Sequence, residues 1–202
     1  MRDEGSAASP ADQAAPEAAG PAPRPLPARW RLMPVADKRP LLKGWPDKAT
    51  ADRSTWQEWL RPWPRAALAL ATGPASGALA LDVDAAGATH AADGAAALAA
   101  LEAELGRLPA TAESRTPSGG RHLFYLWPAG AERIPSRPIR PGVDCKASSG
   151  LVTLPCGRRT PGRHWLAHPA DGLADLPPAW IDRKSTRLNS SHSSISYAVF
   201  CL

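Results

Sequence analysis

Gly77-Ala78-Leu79-Ala80-Leu81-Asp82-Val83-Asp84 is the stretch on which the fold turns. In an extended strand Leu79, Leu81 and Val83 fall on one face, and Asp82 and Asp84 on the other near its C-terminal end. One face is then free to join a core, and the other carries two carboxylates about 7 Å apart. Oxygen ligands at that spacing suit a pair of Mg2+ or Mn2+ ions completed by substrate phosphates. Two-metal phosphoryl transfer uses this arrangement. Strand ends also carry Asp simply to make turns, and the stretch by itself leaves both readings open.

Working outward, Ala66 to Ala71 reads as a neighbouring strand, set off by the turn Thr72-Gly73-Pro74-Ala75-Ser76-Gly77. Before it, Trp56, Trp59 and Leu60 follow an Asp/Ser/Thr-rich start at helical spacing, and Pro62 and Pro64 end the short helix. His90 to Leu108 carries Leu98, Leu101, Leu105 and Leu108 along one helical face. Thr111 to Arg115, Arg121 to Trp127 and Leu151 to Pro155 read as further strands, with Gly119-Gly120 and Ser149-Gly150 as breaks before the last two. Strands and helices mixed in this order predict an α+β fold.

The chain has 202 residues, 44% of them hydrophobic, which suits one domain of ordinary size. Residues 1–28 are mostly Ala and Pro with a single large aliphatic residue, Leu26, and cannot bury enough to offset chain entropy. They read as a disordered arm or as translation from a start codon upstream of the true one. At Asp182 the composition breaks: residues 182–202 hold six Ser, the chain's only Asn (Asn189) and one Ala. The string from Asp182 to His192 looks like a translated sequencing-library adapter, so 182–202 is expected to be a non-native read-through tail and 29–181 a catalytic domain truncated on its C-terminal side. Three Cys in this length make no disulfide scaffold, which points to a reduced, cytoplasmic setting. No apolar run reaches the roughly 20 residues of a membrane span, and no signal-peptide stretch opens the chain, so export and membrane partners are not expected.

Two further motifs follow the first. Thr116-Pro117-Ser118-Gly119-Gly120-Arg121-His122 holds a paired-glycine turn whose amides can approach a phosphate, with hydroxyls at Thr116 and Ser118. Arg121 and His122 are then placed to bind a triphosphate, although a hairpin turn with a half-buried His satisfies the same residues. Asp144, in Pro141-Gly142-Val143-Asp144-Cys145-Lys146, sits before a Gly turn and an apolar strand and completes a metal-binding trio, with Lys146 on its face. Taken alone it is an ordinary turn Asp. Residues 107–163 carry ten Lys+Arg against Glu113, Glu132 and Asp144, in a chain of net charge +5, which favours an anionic partner. Cys145, Cys156, His164 and His168 lack a Cys-x-x-Cys pair and read as strand residues rather than a zinc site.

In this order the motifs resemble the bifunctional DNA primase/polymerase N-terminal domain of the archaeo-eukaryotic primase superfamily, over about residues 33–180. The resemblance includes Lys43-Gly44-Trp45-Pro46 with Ala49-Thr50-Ala51-Asp52, and the Ala71 to Gly77 turn. It implies a primase-type core with an RNA-recognition-motif-like palm sheet and a small N-terminal α/β module. It implies Asp82, Asp84 and Asp144 as metal-binding carboxylates, and His122 as the nucleotide-binding histidine of a Ser-Gly-Gly-x-His motif. Ser118, Arg121 and Lys146 carry over more weakly. The implied activity is template-directed nucleotidyl transfer with two Mg2+ or Mn2+ ions, nucleoside triphosphates and a single-stranded DNA template, in plasmid, phage or mobile-element replication. A helicase domain or subunit, lost with whatever followed Ile181, is the implied partner. Leu154-Pro155-Cys156-Gly157 departs from the family's usual Pro-Pro-Ser turn. A catalytically silent nucleic-acid-binding module is the alternative. An Asp-x-Asp glycosyltransferase is a weaker one, since it explains neither the His122 motif nor the basic surroundings.

Overall fold

The computed structural model describes residues 24–87 and 92–181. Of the regions discussed above, 1–23, 88–91 and 182–202 lie outside the described residues. The elements run β1 (Leu32–Ala36), β2 (Arg39–Pro40), α1 (Trp45–Lys48), α2 (Arg53–Leu60), β3 (Ala67–Thr72), β4 (Ala78–Val83) and α3 (Gly94–Leu105). There follow β5 (Ala112–Arg115), β6 (Arg121–Leu126), β7 (Arg137–Arg140), β8 (Val143–Lys146), β9 (Gly150–Thr153), β10 (His164–Ala167), β11 (Ala174–Asp175) and α4 (Pro178–Ile181). The predicted strands and the helix before Pro62 fall within a residue or two of these bounds.

The strands form two sheets, as an α+β chain should: β2-β1-β3-β9, and β10-β5-β6-β4-β8-β7. Pairing is antiparallel throughout, except that the two-residue β11 runs parallel to β6. The small first sheet is not built from N-terminal residues alone, because its fourth strand, β9, comes from residues 150–153. A tight turn with Ser149 at φ 55 lets the chain step from β8 in one sheet to β9 in the other.

The alternation read from β4 decides the layering. Leu79, Leu81 and Val83 join Leu98 and Leu101 of α3, Tyr125, Val143 and Trp180 in a core on one side of the second sheet. Ala78 and Ala80 face the other side, where their small side chains leave room for Trp30, Leu70, Phe124, Val152 and Leu154 between the sheets. Each fully buried leucine contributes roughly 1.5–3 kcal/mol. Helix α3 is shorter than the predicted His90–Leu108. Asp93 caps it by accepting from the amides of Ala95 and Ala96 at 2.9 and 3.2 Å, and Gly106 at φ 92 ends it. Residues 24–28, counted with the arm on sequence, lie against the body: Leu26 packs on the inter-sheet core and Arg24 pairs with Asp171. Among the described residues no helix is long and apolar enough to cross a membrane.

Candidate active site

Ser114, His122, Asp82 and Asp144 are successive cross-strand partners on β5, β6, β4 and β8. Period-2 geometry therefore puts all four on one face of the second sheet, opposite Leu81 and Leu123, and Lys146 joins them two residues beyond Asp144. His122, Asp82 and Asp144, the last two 62 positions apart in sequence, meet because β4 lies between β6 and β8.

The polar contacts are close. His122 Nε2 lies 3.3 Å from Asp82 Oδ1. Lys146 Nζ stands between the two carboxylates, 2.8 Å from Asp144 Oδ2 and 3.6 Å from Asp82 Oδ2. Burial pushes the Asp82 carboxyl up, but the hydrogen bond from His122, with the charges of Lys146 and Lys38, outweighs it and holds Asp82 below the usual carboxylate range. Burial likewise works against the Lys146 ammonium, and Asp144 and Asp82 overcome it and raise its pKa. The row opens into a cleft of 520 Å³ between the two sheets, and Asp84 and Ser118 line it as well.

Asp84 lies just past the end of β4, where its backbone is pinned: its amide donates to the Gly142 carbonyl at 2.9 Å and its carbonyl accepts from Gly94 at 3.1 Å. The paired-glycine turn has a packing role that the sequence did not disclose. Gly119 takes φ 91, and a Cβ on Gly120 would lie 2.6 Å from the Val83 carbonyl oxygen. The glycines thus seat the β5–β6 turn against the end of β4, which brings Ser118, its Oγ 3.0 Å from Thr116 Oγ1, to the rim of the cleft.

Arg121 is the predicted residue that the structure sets apart. It neighbours His122 in sequence and so projects from the opposite face, where it bonds Glu113 at 3.2 Å and does not line the cleft. Two cations that sequence reasoning missed stand there instead. Arg163, just before β10, donates from its guanidinium to His122 Nδ1 at 3.3 Å. Since a guanidinium has no acceptor, Nδ1 accepts, and Nε2 carries the proton toward Asp82. Lys38 reaches the cleft from the β1–β2 hairpin, whose two turn residues, Asp37 and Lys38, both have positive φ. Ser114 Oγ and Arg163 Nε are buried, both next to His122, and find no hydrogen-bond partner among the described residues. The Cys and His residues weighed for zinc are scattered: Cys145 points into the core under the sheet, and Cys156 packs beside β3, its Sγ 3.4 Å from the Leu68 amide.

Among the described residues no group of three or more His, Cys, Asp or Glu side chains is gathered tightly enough to hold an ion unaided. The donor chemistry nevertheless suits Mg2+ or Mn2+, which bind through one or two carboxylates and take their other oxygens from water and phosphates. Asp82 and Asp144 already converge on a cationic atom, Lys146 Nζ, and Asp84 lines the same cleft.

No curated protein gives a match to the chain. The family described as "Bifunctional DNA primase/polymerase, N-terminal" matches residues 25–180. That span takes in both sheets and every residue of the cleft, and the chain belongs to this bifunctional DNA primase/polymerase N-terminal family.

Proposed function

We propose that the chain carries out template-directed nucleotidyl transfer, joining a nucleoside triphosphate to a growing strand as a DNA primase/polymerase of a plasmid, phage or mobile element in the cytoplasm. The observation that carries the reading is the row His122–Asp82–Asp144 with Lys146 between its carboxylates, at the floor of an intersheet cleft walled by Lys38 and Arg163. Carboxylates and cations share one small volume, which suits a polyanionic substrate whose charge is met partly by side chains and partly by ions.

The reading extends to the palm. β4, α3 and β5 form a crossover into which β6 inserts, and the order β5-β6-β4-β8 supports an RNA-recognition-motif-like sheet. A second crossover helix is replaced here by β7, between β6 and β8.

Asp82, Asp84 and Asp144 would hold the divalent ions, which would lower the pKa of the attacking 3′-hydroxyl and offset the charge of the pyrophosphate leaving group. Arg163 keeps His122 in the tautomer that presents Nε2–H to the cleft. Lys38, Lys146 and Arg163 supply positive charge for the phosphates, and the hydroxyls of Ser118 and Thr116 add neutral donors at the rim. Arg121, held by Glu113 on the other face, takes no part.

Primer synthesis and extension on single-stranded DNA, with all nucleoside triphosphates and Mn2+ or Mg2+, tests the reading in the wild type and Asp82→Asn. Metal-dependent products from the wild type alone support it. A folded, DNA-binding wild type that makes no product in any metal overturns it in favour of a silent binding module.

A further inference from the structure

Beyond the cleft, β9 runs on into a second and larger hollow. Leu151, Val152 and Thr153 line the cleft, and the next residues, Leu154, Pro155 and Cys156, line a groove of 810 Å³. At about 3.3 Å per residue the two lie within roughly 10–15 Å along this segment. The groove is within the size of small-ligand sites, about 300–1,000 Å³.

Its walls are aromatic and its rim is cationic. Trp56, from α2, is half-buried, and its indole N–H is already given to the Thr50 carbonyl at 2.7 Å, so its ring surface is what it offers. Trp165 is held by Phe124 and His168, both with ring centroids at 5.4 Å. Arg53 and Arg159 are exposed, and among the described residues neither is paired with a carboxylate. Arg159 spends only its Nε, on the Pro64 carbonyl at 3.0 Å. Of the nearby acids, Asp171 is occupied by Arg24 through two bonds of 3.0 and 2.5 Å, and Asp52 accepts from the Ser54 and Thr55 hydroxyls. Fixed aromatic rings and guanidiniums that no carboxylate pairs among the described residues line one groove, and so combine base stacking with phosphate contact, the means by which single strands are held without sequence readout.

We propose that this groove binds a few nucleotides of single-stranded nucleic acid, with bases against Trp56 and Trp165 and phosphates on Arg53 and Arg159. The continuity of β9 makes the groove a path along which a template leads to or from the cleft. That role rests on the nucleotidyl-transfer reading, whereas the binding itself does not.

The test uses the full chain, a 5′-fluorescein oligo-dT followed by anisotropy, and a fluorescent nucleoside triphosphate as a separate probe of the cleft. In Arg53→Gln/Arg159→Gln the oligonucleotide affinity should fall tenfold or more. The slope of log affinity on log salt should shrink by about 1.4, two contacts at about 0.7 each, and triphosphate binding should be unchanged. Trp56→Leu should weaken oligonucleotide binding about tenfold, and Trp56→Phe should restore most of it, a difference that loss of packing alone would not give. Oligonucleotide affinity and salt slope unaltered in the arginine variant would overturn the proposal and leave the groove to a peptide or another segment of this chain. A wild type that does not bind the oligonucleotide would overturn it equally. Strand binding that depends on the arginines in a protein that incorporates no nucleotide would uphold the groove while removing the nucleotidyl-transfer reading.

Discussion

His122 and Asp82 face each other across β6 and β4 with Nε2 3.3 Å from Oδ1, and the opposite ring nitrogen of His122 is held by Arg163. The imidazole is thereby fixed at both ends, with a guanidinium that can only donate on one side and a carboxylate that can only accept on the other. Asp82 is the hinge of this arrangement, because it also faces Asp144 and Lys146. Asp82→Asn keeps the volume and removes the charge. Nucleotide incorporation should fall by more than about a hundredfold, since several kcal/mol of transition-state stabilisation is lost. Circular dichroism should show the fold retained.

Arg163→Met should leave Nδ1 of His122 without its donor, the ring held by Asp82 alone through Nε2–H, and remove one cation from the cleft wall. A charge-assisted bond of this kind is worth about 1.5–3 kcal/mol, so triphosphate affinity should fall about tenfold or more. Nitrogen-15 spectra of labelled histidine should show the Nε2–H form in both proteins, with the Nδ1 resonance of His122 moved in the variant by the loss of its donor.

Lys146 occupies with its ammonium the place between Asp82 and Asp144 where a divalent ion would compete. Replacement by Met leaves the two carboxylates facing each other without the ammonium between them, and only Asp82 keeps a bond to His122. Lys146→Met should melt at lower temperature than the wild type without divalent ions and should gain more thermal stability on addition of Mn2+. An equal Mn2+-induced shift in the two proteins would mean that the ammonium and the ion do not share a site.

Gly120→Ala would press a methyl group to 2.6 Å from the Val83 carbonyl oxygen, a backbone atom that cannot swing away. Overpacking of this order costs about 1–3 kcal/mol. Thermal denaturation should register it at roughly 2–4 °C per kcal/mol, and triphosphate binding should weaken because Ser118 and His122 flank the displaced turn.

Asp52 caps α2, accepting from the Thr55 hydroxyl at 2.6 Å and from the Ser54 hydroxyl and amide, and these bonds lower its pKa to about 2. A carboxyl depressed in the folded state stabilises the fold above its unfolded pKa, near 3.9, and loses that contribution as pH falls through the folded value. Asp52→Ala should therefore lower the melting temperature at neutral pH by a few degrees. The gap between variant and wild type should close as pH drops from about 4 toward 2, as followed by melting curves across that range.

Much of this molecule was written locally. The alternation of β4, the leucine stripe of α3 and the glycine breaks around β6 and β9 are short-range signals, and the structure follows them closely. The same period-2 rule that placed Asp82 opposite Leu81 also puts Arg121 opposite His122, so its displacement from the cleft was legible too. What was hidden had two causes. β1 has Pro34 within it and is buried on both faces, and β7 is four residues with Pro138 inside, so neither alternates or avoids Pro as a readable strand does. β8 compresses its signal into Val143-Asp144-Cys145-Lys146, too few residues for periodicity to show. Arg163 and Lys38 enter the cleft from loops distant in sequence, and only the packing of one sheet on the other brings them to Asp82.

The step from β8 to β9 has a consequence for biogenesis. On the edge of β3 turned away from β1, Ala69 pairs with Thr153 and Thr72 with Gly150, so that edge stays bare until most of the domain has left the ribosome. Such long-range closure is slow, and an unpaired strand edge is a template for association with other chains. A nascent chain of this protein is accordingly most exposed to aggregation between the synthesis of β3 and that of β9, the interval in which a chaperone would have the most to protect.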